Sequence, residues 1–214
     1  MEKDNVLEQL GKTGIVPVVV LEDCEQALPL AEALMKGGLP CAEITFRTDA
    51  AEESIRRITK AFPDMLVGAG TVLTTEQADR AIDAGAKFIV APGLNPKVVR
   101  HVLSKNIPMC PGTCTPSDIE GALELGLNHV KFFPAEPSGG LKMIKAIASA
   151  YVNVRFMPTG GINADNVKDY LAYNKVFACG GSWMVKGDLI KAGRFDEIER
   201  LVKEAVSIVK EIRG

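Results

Sequence analysis

The chain has 214 residues, a formal net charge of -2 and a hydrophobic content of 47%. A chain of this size can bury most of its unfolded surface in one domain, so one domain over 1–214 is expected. The small net charge, with Lys and Arg spread along the sequence, argues against a general affinity for nucleic acid. No apolar run reaches the length needed to cross a bilayer, which argues against a membrane partner. Residues 1–5 are polar and include acids, unlike a secretory signal. Cys24, Cys41, Cys110, Cys114 and Cys179 are odd in number and show no C-x-x-C spacing. That pattern suits free thiols in a cytoplasmic protein. His101 and His129 form no ligand pair with each other, so no metal is expected beside Cys110 and Cys114.

Strand and helix signals alternate along the chain. Residues 3–13 read as an amphipathic helix ending near Gly14, and 15–20 as a β-branched strand. Pro17 argues against a central place for that strand, because proline cannot donate to the ladder. A helix over 24–36 stops at Gly37 and Gly38. Next come strand 41–46 with helix 50–61, and strand 66–69 with a helix over 75–84 whose expected N-cap is Thr75. Strand 88–91 with helix 95–104 and strand 108–110 with helix 116–125 follow. The second half gives strand 129–134, helix 141–148, strand 154–158, helix 164–172, strand 176–179 and a closing helix over 195–212. Eight strand–helix units without a composition break predict an α/β fold, a (β/α)8 TIM barrel with an extra N-terminal helix. An open doubly wound sheet is the alternative, disfavoured because no G-x-G-x-x-G follows the first strand.

In such barrels the chemistry sits at the C-terminal ends of the strands. The segment His129-Val130-Lys131-Phe132-Phe133-Pro134 carries one amine in an apolar run. Burial there disfavours the charged form, and a neutral amine is a nucleophile towards carbonyls. Alternation puts Cys41, Glu43, Thr45 and Arg47 on one face of their strand and His129, Lys131 and Phe133 on one face of theirs. Glu43 and Lys131 are thereby expected in one interior, with a water between them as proton shuttle. Arg47 would lie at the rim, roughly 13 Å beyond Glu43 at about 3.3 Å per residue. Its guanidinium suits a small carboxylate, with Thr71 as a second donor. Thr159-Gly160-Gly161-Ile162 and Gly180-Gly181-Ser182 end two neighbouring strands, where backbone can approach a phosphate closely. Ala91-Pro92-Gly93 leaves room in the mouth.

Glu43 with residues 45–48, Gly68-Ala-Gly-Thr71, Ala91-Pro-Gly93, Lys131-Phe-Phe-Pro-Ala135, Thr159-Gly-Gly-Ile162 and Gly180-Gly-Ser-Trp183 resemble the 2-keto-3-deoxy-6-phosphogluconate aldolases, which often also act on 4-hydroxy-2-oxoglutarate. The motifs keep the family's order over nearly the whole chain. The resemblance implies a class I aldolase of the Entner-Doudoroff pathway, without cofactor, usually a homotrimer. It implies Lys131 as the Schiff-base lysine and Glu43 as the acid/base. It further implies Arg47 and Thr71 at the pyruvyl carboxylate, Gly160, Gly161, Gly180, Gly181 and Ser182 at the phosphate, and Pro92, Phe133 and Thr159 as further substrate contacts. The segment 109–115 fits the family's Pro-Gly-x-x-Thr loop, and its two cysteines are less usual. An aldolase for the galactonate epimer would share all these residues. A non-catalytic phosphosugar-binding barrel would keep Lys131 and Glu43 as a structural ion pair.

Overall fold

The structure is a computed structural model that describes residues 3–214; Met1 and Glu2, and with them part of the signal-sequence reading, lie outside the described residues. The strands are β1 (Ile15–Val19), β2 (Cys41–Thr45), β3 (Leu66–Gly70), β4 (Ile89–Val90), β5 (Met109–Cys110), β6 (Gly112–Thr113), β7 (His129–Phe132), β8 (Arg155–Pro158) and β9 (Cys179–Gly181). The helices are α1 (Lys3–Thr13), α2 (Ala27–Gly37), α3 (Ala51–Ala61), α4 (Thr75–Asp83), α5 (Pro96–Ser104), α6 (Pro116–Glu124), α7 (Gly140–Ala150), α8 (Val167–Leu171), α9 (Gly187–Lys191) and α10 (Phe195–Arg213). Among the described residues, no helix is long and apolar enough to cross a membrane.

Every strand pairing is parallel, in the orders β5-β4-β3-β2-β1-β9 and β6-β7-β8. Only Pro111, which has no N–H to donate, separates β5 from β6. A parallel bridge between Thr159 and Gly180 joins the end of β8 to β9. The result is a curled parallel sheet with helices packed against it. β1, β2 and β3 are buried along their whole lengths, as strands covered on both faces must be. Glycine allows the closest helix contact: a Cβ on Gly37 of α2 would stand 2.4 Å from Val202 Cγ1 of α10.

Glu43 and Lys131 do meet in one interior, and several boundaries differ for physical reasons. Pro17 does sit in a central strand. It is matched to Gly181, the last residue of β9, so its missing donor falls at the end of that ladder. Thr74, not Thr75, caps α4, because its extended backbone lets the side-chain oxygen accept from Gln77 N at 3.1 Å. The helix expected over 24–36 begins as a 3₁₀ turn over Cys24–Gln26, capped by Asp23. The eighth strand is at Cys179–Gly181 rather than 176–179. Upstream of it, the guanidinium of Arg213 takes the carbonyls of Val176 and Phe177, each at 2.7 Å. The helix expected over 164–172 shrinks to Val167–Leu171, because the Asn163 side chain accepts from the N–H groups of Asp165 and Asn166 and folds that segment as a turn. Helix α9 was not anticipated.

All five cysteines are free: Cys41, Cys110 and Cys179 are buried, while Cys24 and Cys114 are half-buried. Burial pushes the three buried thiols up to about 12. A raised thiol contributes stability that is fully present below the unfolded value, near pH 8.5, and is lost as pH rises through the folded value. The urea midpoint should therefore fall as pH rises from about 8.5 towards 12, and the fall should be shallower in Cys41→Ala/Cys179→Ala. An equally steep fall in that variant would show that other groups govern alkaline stability.

Candidate active site

The central residue of β7 is fixed from both sides. Lys131 N donates to Pro111 O at 2.9 Å, and its carbonyl accepts from Thr113 Oγ1 at 3.1 Å. In register, Lys131 stands between Gly112 of β6 and Met157 of β8. Its side chain, 5% exposed, runs into the sheet interior, where Nζ meets Glu43 Oε1 at 3.3 Å; the Glu43 side chain is 0% exposed. The contact is direct, so the expected intervening water is corrected: 3.3 Å leaves no room for one. It is also long beside the about 2.7–2.9 Å of a strong charge-assisted bond, so the amine is touched rather than clamped. The other carboxylate oxygen, Oε2, is buried without a partner among the described residues.

The neighbours of the pair are small for a reason. A Cβ on Gly70 would lie 2.0 Å from Glu43 Oε1, so β3 must carry glycine there for the carboxylate to turn inwards. Cys110 on β5 is buried near the pair. Its thiol is pushed up to about 12 first by burial and further by the charge of Glu43, with Lys131 acting the other way. Immediately after β3, Thr71 takes φ 56, a left-handed conformation that is strained for a β-branched residue. In that position its Oγ1 accepts from Arg47 Nε at 3.3 Å. The two donors expected at one carboxylate are thus in contact.

The Lys131 Nζ lies 5.4 Å from the centre of the Phe133 ring, and Phe133 lines a cleft of about 840 Å3. Arg47 borders the same cleft, as do Thr159, both glycine doublets and Ser182. Gly160 and Gly161 take φ of 98 and 85, which glycine adopts without strain. A Cβ on Gly180 would stand 2.2 Å from Thr159 Oγ1, so that strand end admits no side chain either. Pro92, like Glu43, Thr71 and Lys131, lies outside the wall of this cleft, and its carbonyl packs where a Cβ on Gly112 would be 2.0 Å away. Asn163, Trp183 and Lys186 line the cleft and were not singled out. Trp183 had a signal, since it directly follows the second doublet. Lys186 had none, because a lone surface lysine carries no pattern.

Residues 6–201 match the family described as KDPG and KHG aldolase. The chain belongs to that family. A 2-dehydro-3-deoxy-phosphogluconate aldolase of Haemophilus influenzae is 51% identical over 205 residues, covering 96% of this chain and 97% of the relative. Among solved structures, a KDPG aldolase from Legionella pneumophila, with pyruvate captured at low pH as a covalent carbinolamine intermediate, superposes with a TM-score of 0.91. It is 39% identical and the match covers 96% of this chain and 98% of that one. A 2-keto-3-deoxy-6-phosphogluconate aldolase of Zymomonas mobilis with 3-phosphoglycerate matches at TM-score 0.87 and 40% identity, over 96% of this chain and 95% of that one. In this aldolase-family chain, the motifs carrying Glu43, Gly70, Lys131, Thr159 and Gly180 meet at the two buried side chains and the cleft beside them.

Breaking a buried pair leaves a stranded charge, at about 3–5 kcal/mol. Lys131→Met should therefore lower unfolding stability by about that amount, and adding Glu43→Leu should recover most of it. Additive losses in urea unfolding would mean that the two side chains are not coupled.

Proposed function

We propose that this chain is a class I aldolase that cleaves 2-keto-3-deoxy-6-phosphogluconate to pyruvate and D-glyceraldehyde 3-phosphate through a Schiff base on Lys131. It would cleave 4-hydroxy-2-oxoglutarate to pyruvate and glyoxylate by the same steps. The observation that carries the reading is the buried Lys131 Nζ at 3.3 Å from the buried Glu43 Oε1, beside a glycine-lined cleft. The covalent pyruvate adduct of the Legionella relative supports it.

In this reading Glu43 takes a proton from the Lys131 ammonium along their direct contact, leaving a neutral amine. The amine attacks C2 of the keto acid to give a carbinolamine; Glu43 returns its proton to the carbinolamine hydroxyl, which leaves as water to give an iminium. Glu43 then removes the proton of the C4 hydroxyl. The C3–C4 bond breaks, its electrons pass into the iminium as an enamine, and the aldehyde leaves. The enamine takes a proton at C3, and water hydrolyses the resulting iminium to free pyruvate and the amine. The unpartnered Oε2 of Glu43 supports this proton traffic, because it has no protein group to compete with the substrate. Arg47 and Thr71 hold the pyruvyl carboxylate and so orient C2 towards the amine. The phosphate lies against Gly160, Gly161, Gly180, Gly181 and Ser182, and Phe133, Thr159 and Pro92 border the carbon chain. The 3-phosphoglycerate of the Zymomonas relative supports a phosphorylated ligand of this kind. The scheme calls for no metal, since the iminium supplies the electron sink.

The same reading includes the finer architecture. The sheet closes as an eight-unit TIM barrel in one domain, supported by Pro111 alone dividing β5 from β6 and by the Thr159–Gly180 bridge. The resemblance adds a cytoplasmic homotrimer acting in the Entner-Doudoroff pathway.

Borohydride reduction in the presence of pyruvate should leave one covalent adduct, mapped to Lys131 by mass spectrometry. An active enzyme with unmodified Lys131 would reject the scheme. Glu43→Gln should still bind pyruvate while turnover drops about 10²-fold or more. Steady-state turnover equal to wild type would remove Glu43 from the proton path.

A further inference from the structure

Tyr170 of α8 is 2% exposed, yet it is a large polar-tipped side chain to which the aldolase mechanism gives no part. Its hydroxyl donates a short hydrogen bond to Glu136 Oε1. Burial first, and this bond second, push the phenol above its ordinary range, so it stays protonated and donates. Glu136 lies in the connection between β7 and α7, three residues beyond Phe133. Among the described residues, Glu136 forms no ion pair within 4 Å, so the tyrosine takes the place a cation would occupy.

Two glycines make room for this contact. A Cβ on Gly161 would stand 2.6 Å from both Cβ and Cγ of Glu136, so the glutamate stem lies directly against the cleft-lining doublet. A Cβ on Gly140 would stand 2.9 Å from both Glu136 Oε1 and the Tyr170 hydroxyl. The backbone ties the same segments together: Glu136 N donates to Gly160 O at 3.0 Å and Ala135 N to Thr159 O at 2.8 Å. On the far side, Asn166 Nδ2 donates to Gly161 O at 3.0 Å. The doublet is thus held between Asn166 and Glu136, and Glu136 is in turn held by a residue buried in the core.

We propose that Tyr170 and Glu136 are positioning residues that fix the Gly160-Gly161 doublet for the phosphate group, and thereby set the affinity for phosphorylated over unphosphorylated keto acids. The doublet sits at positive φ, where glycine is free to leave, so its conformation must be imposed from outside. The hydroxyl of Tyr170 does so by fixing Glu136, whose stem and backbone N–H lie against the doublet.

The inference deepens the aldolase reading and rests on it, and the experiment separates the two. Tyr170→Phe should raise KM for 2-keto-3-deoxy-6-phosphogluconate about tenfold and leave kcat within about twofold, as loss of one charge-assisted hydrogen bond predicts. The same variant should leave KM and kcat for 4-hydroxy-2-oxoglutarate within about twofold, because that substrate has no phosphate. Calorimetric binding of inorganic phosphate should weaken by the same factor, a readout that needs no turnover. Glu136→Ala, made at the exposed partner, should reproduce these changes with the tyrosine ring still packed. Glu136→Gln retains an acceptor for the hydroxyl and should stay within about threefold of wild type. Equal changes with both substrates, or unchanged phosphate binding in Tyr170→Phe and Glu136→Ala, would overturn the proposal. If wild type failed to trap pyruvate under borohydride, the aldolase reading would fall, and phosphate binding would still decide the positioning role.

Discussion

The contact between Lys131 and Glu43 is the constraint on which the rest of the structure depends. Two ionisable groups removed from water carry a large desolvation cost, and each is tolerable only because the other is present. The cost is met at a point where β2 and β7, from different parts of the sheet order, direct side chains into one interior. That geometry is strict. Lys131 is held through its N–H and its carbonyl, so its direction is set by backbone rather than by side-chain packing. Gly70 exists in that strand because any side chain would occupy the space of the Glu43 carboxylate. The length of the contact matters too: at 3.3 Å the carboxylate touches the amine without clamping it.

Beside that pair, the guanidinium of Arg47 leans on the strained Thr71. The cleft that Arg47 borders is also lined by the glycine doublets, Ser182, Asn163 and the charged Lys186 and Asp188. Phe133, whose ring centre lies 5.4 Å from the amine, also lines the cleft. The strain at Thr71 is stored next to the donor pair rather than in the core, as expected where geometry for a ligand overrides local preference.

Much of this was legible because it rests on local periodicity. The alternation of β2 put Glu43 and Arg47 on one face, and the apolar run of β7 marked its single lysine. The glycine doublets named the mouth. What failed was also local, but decided by distant groups. Thr75 was named as cap, and Thr74 took the role because only its backbone is extended there. The eighth strand shifted because Arg213, near the C-terminus, claimed two carbonyls of residues 176 and 177. No pattern within residues 176–179 encodes that.

The sequence alone determined the order of elements, the small residues at the strand ends and the chemical identity of the buried amine and carboxylate. These follow from short-range rules of alternation, capping and burial, and from motifs that carry the family. Only the tertiary structure decided that the amine and the carboxylate touch without a water between them, that Thr71 bends to meet Arg47, and that Tyr170 reaches Glu136. Each is a distance between residues far apart in the chain. Such distances are fixed by strand register and by how closely glycine lets neighbours approach, which no local pattern records.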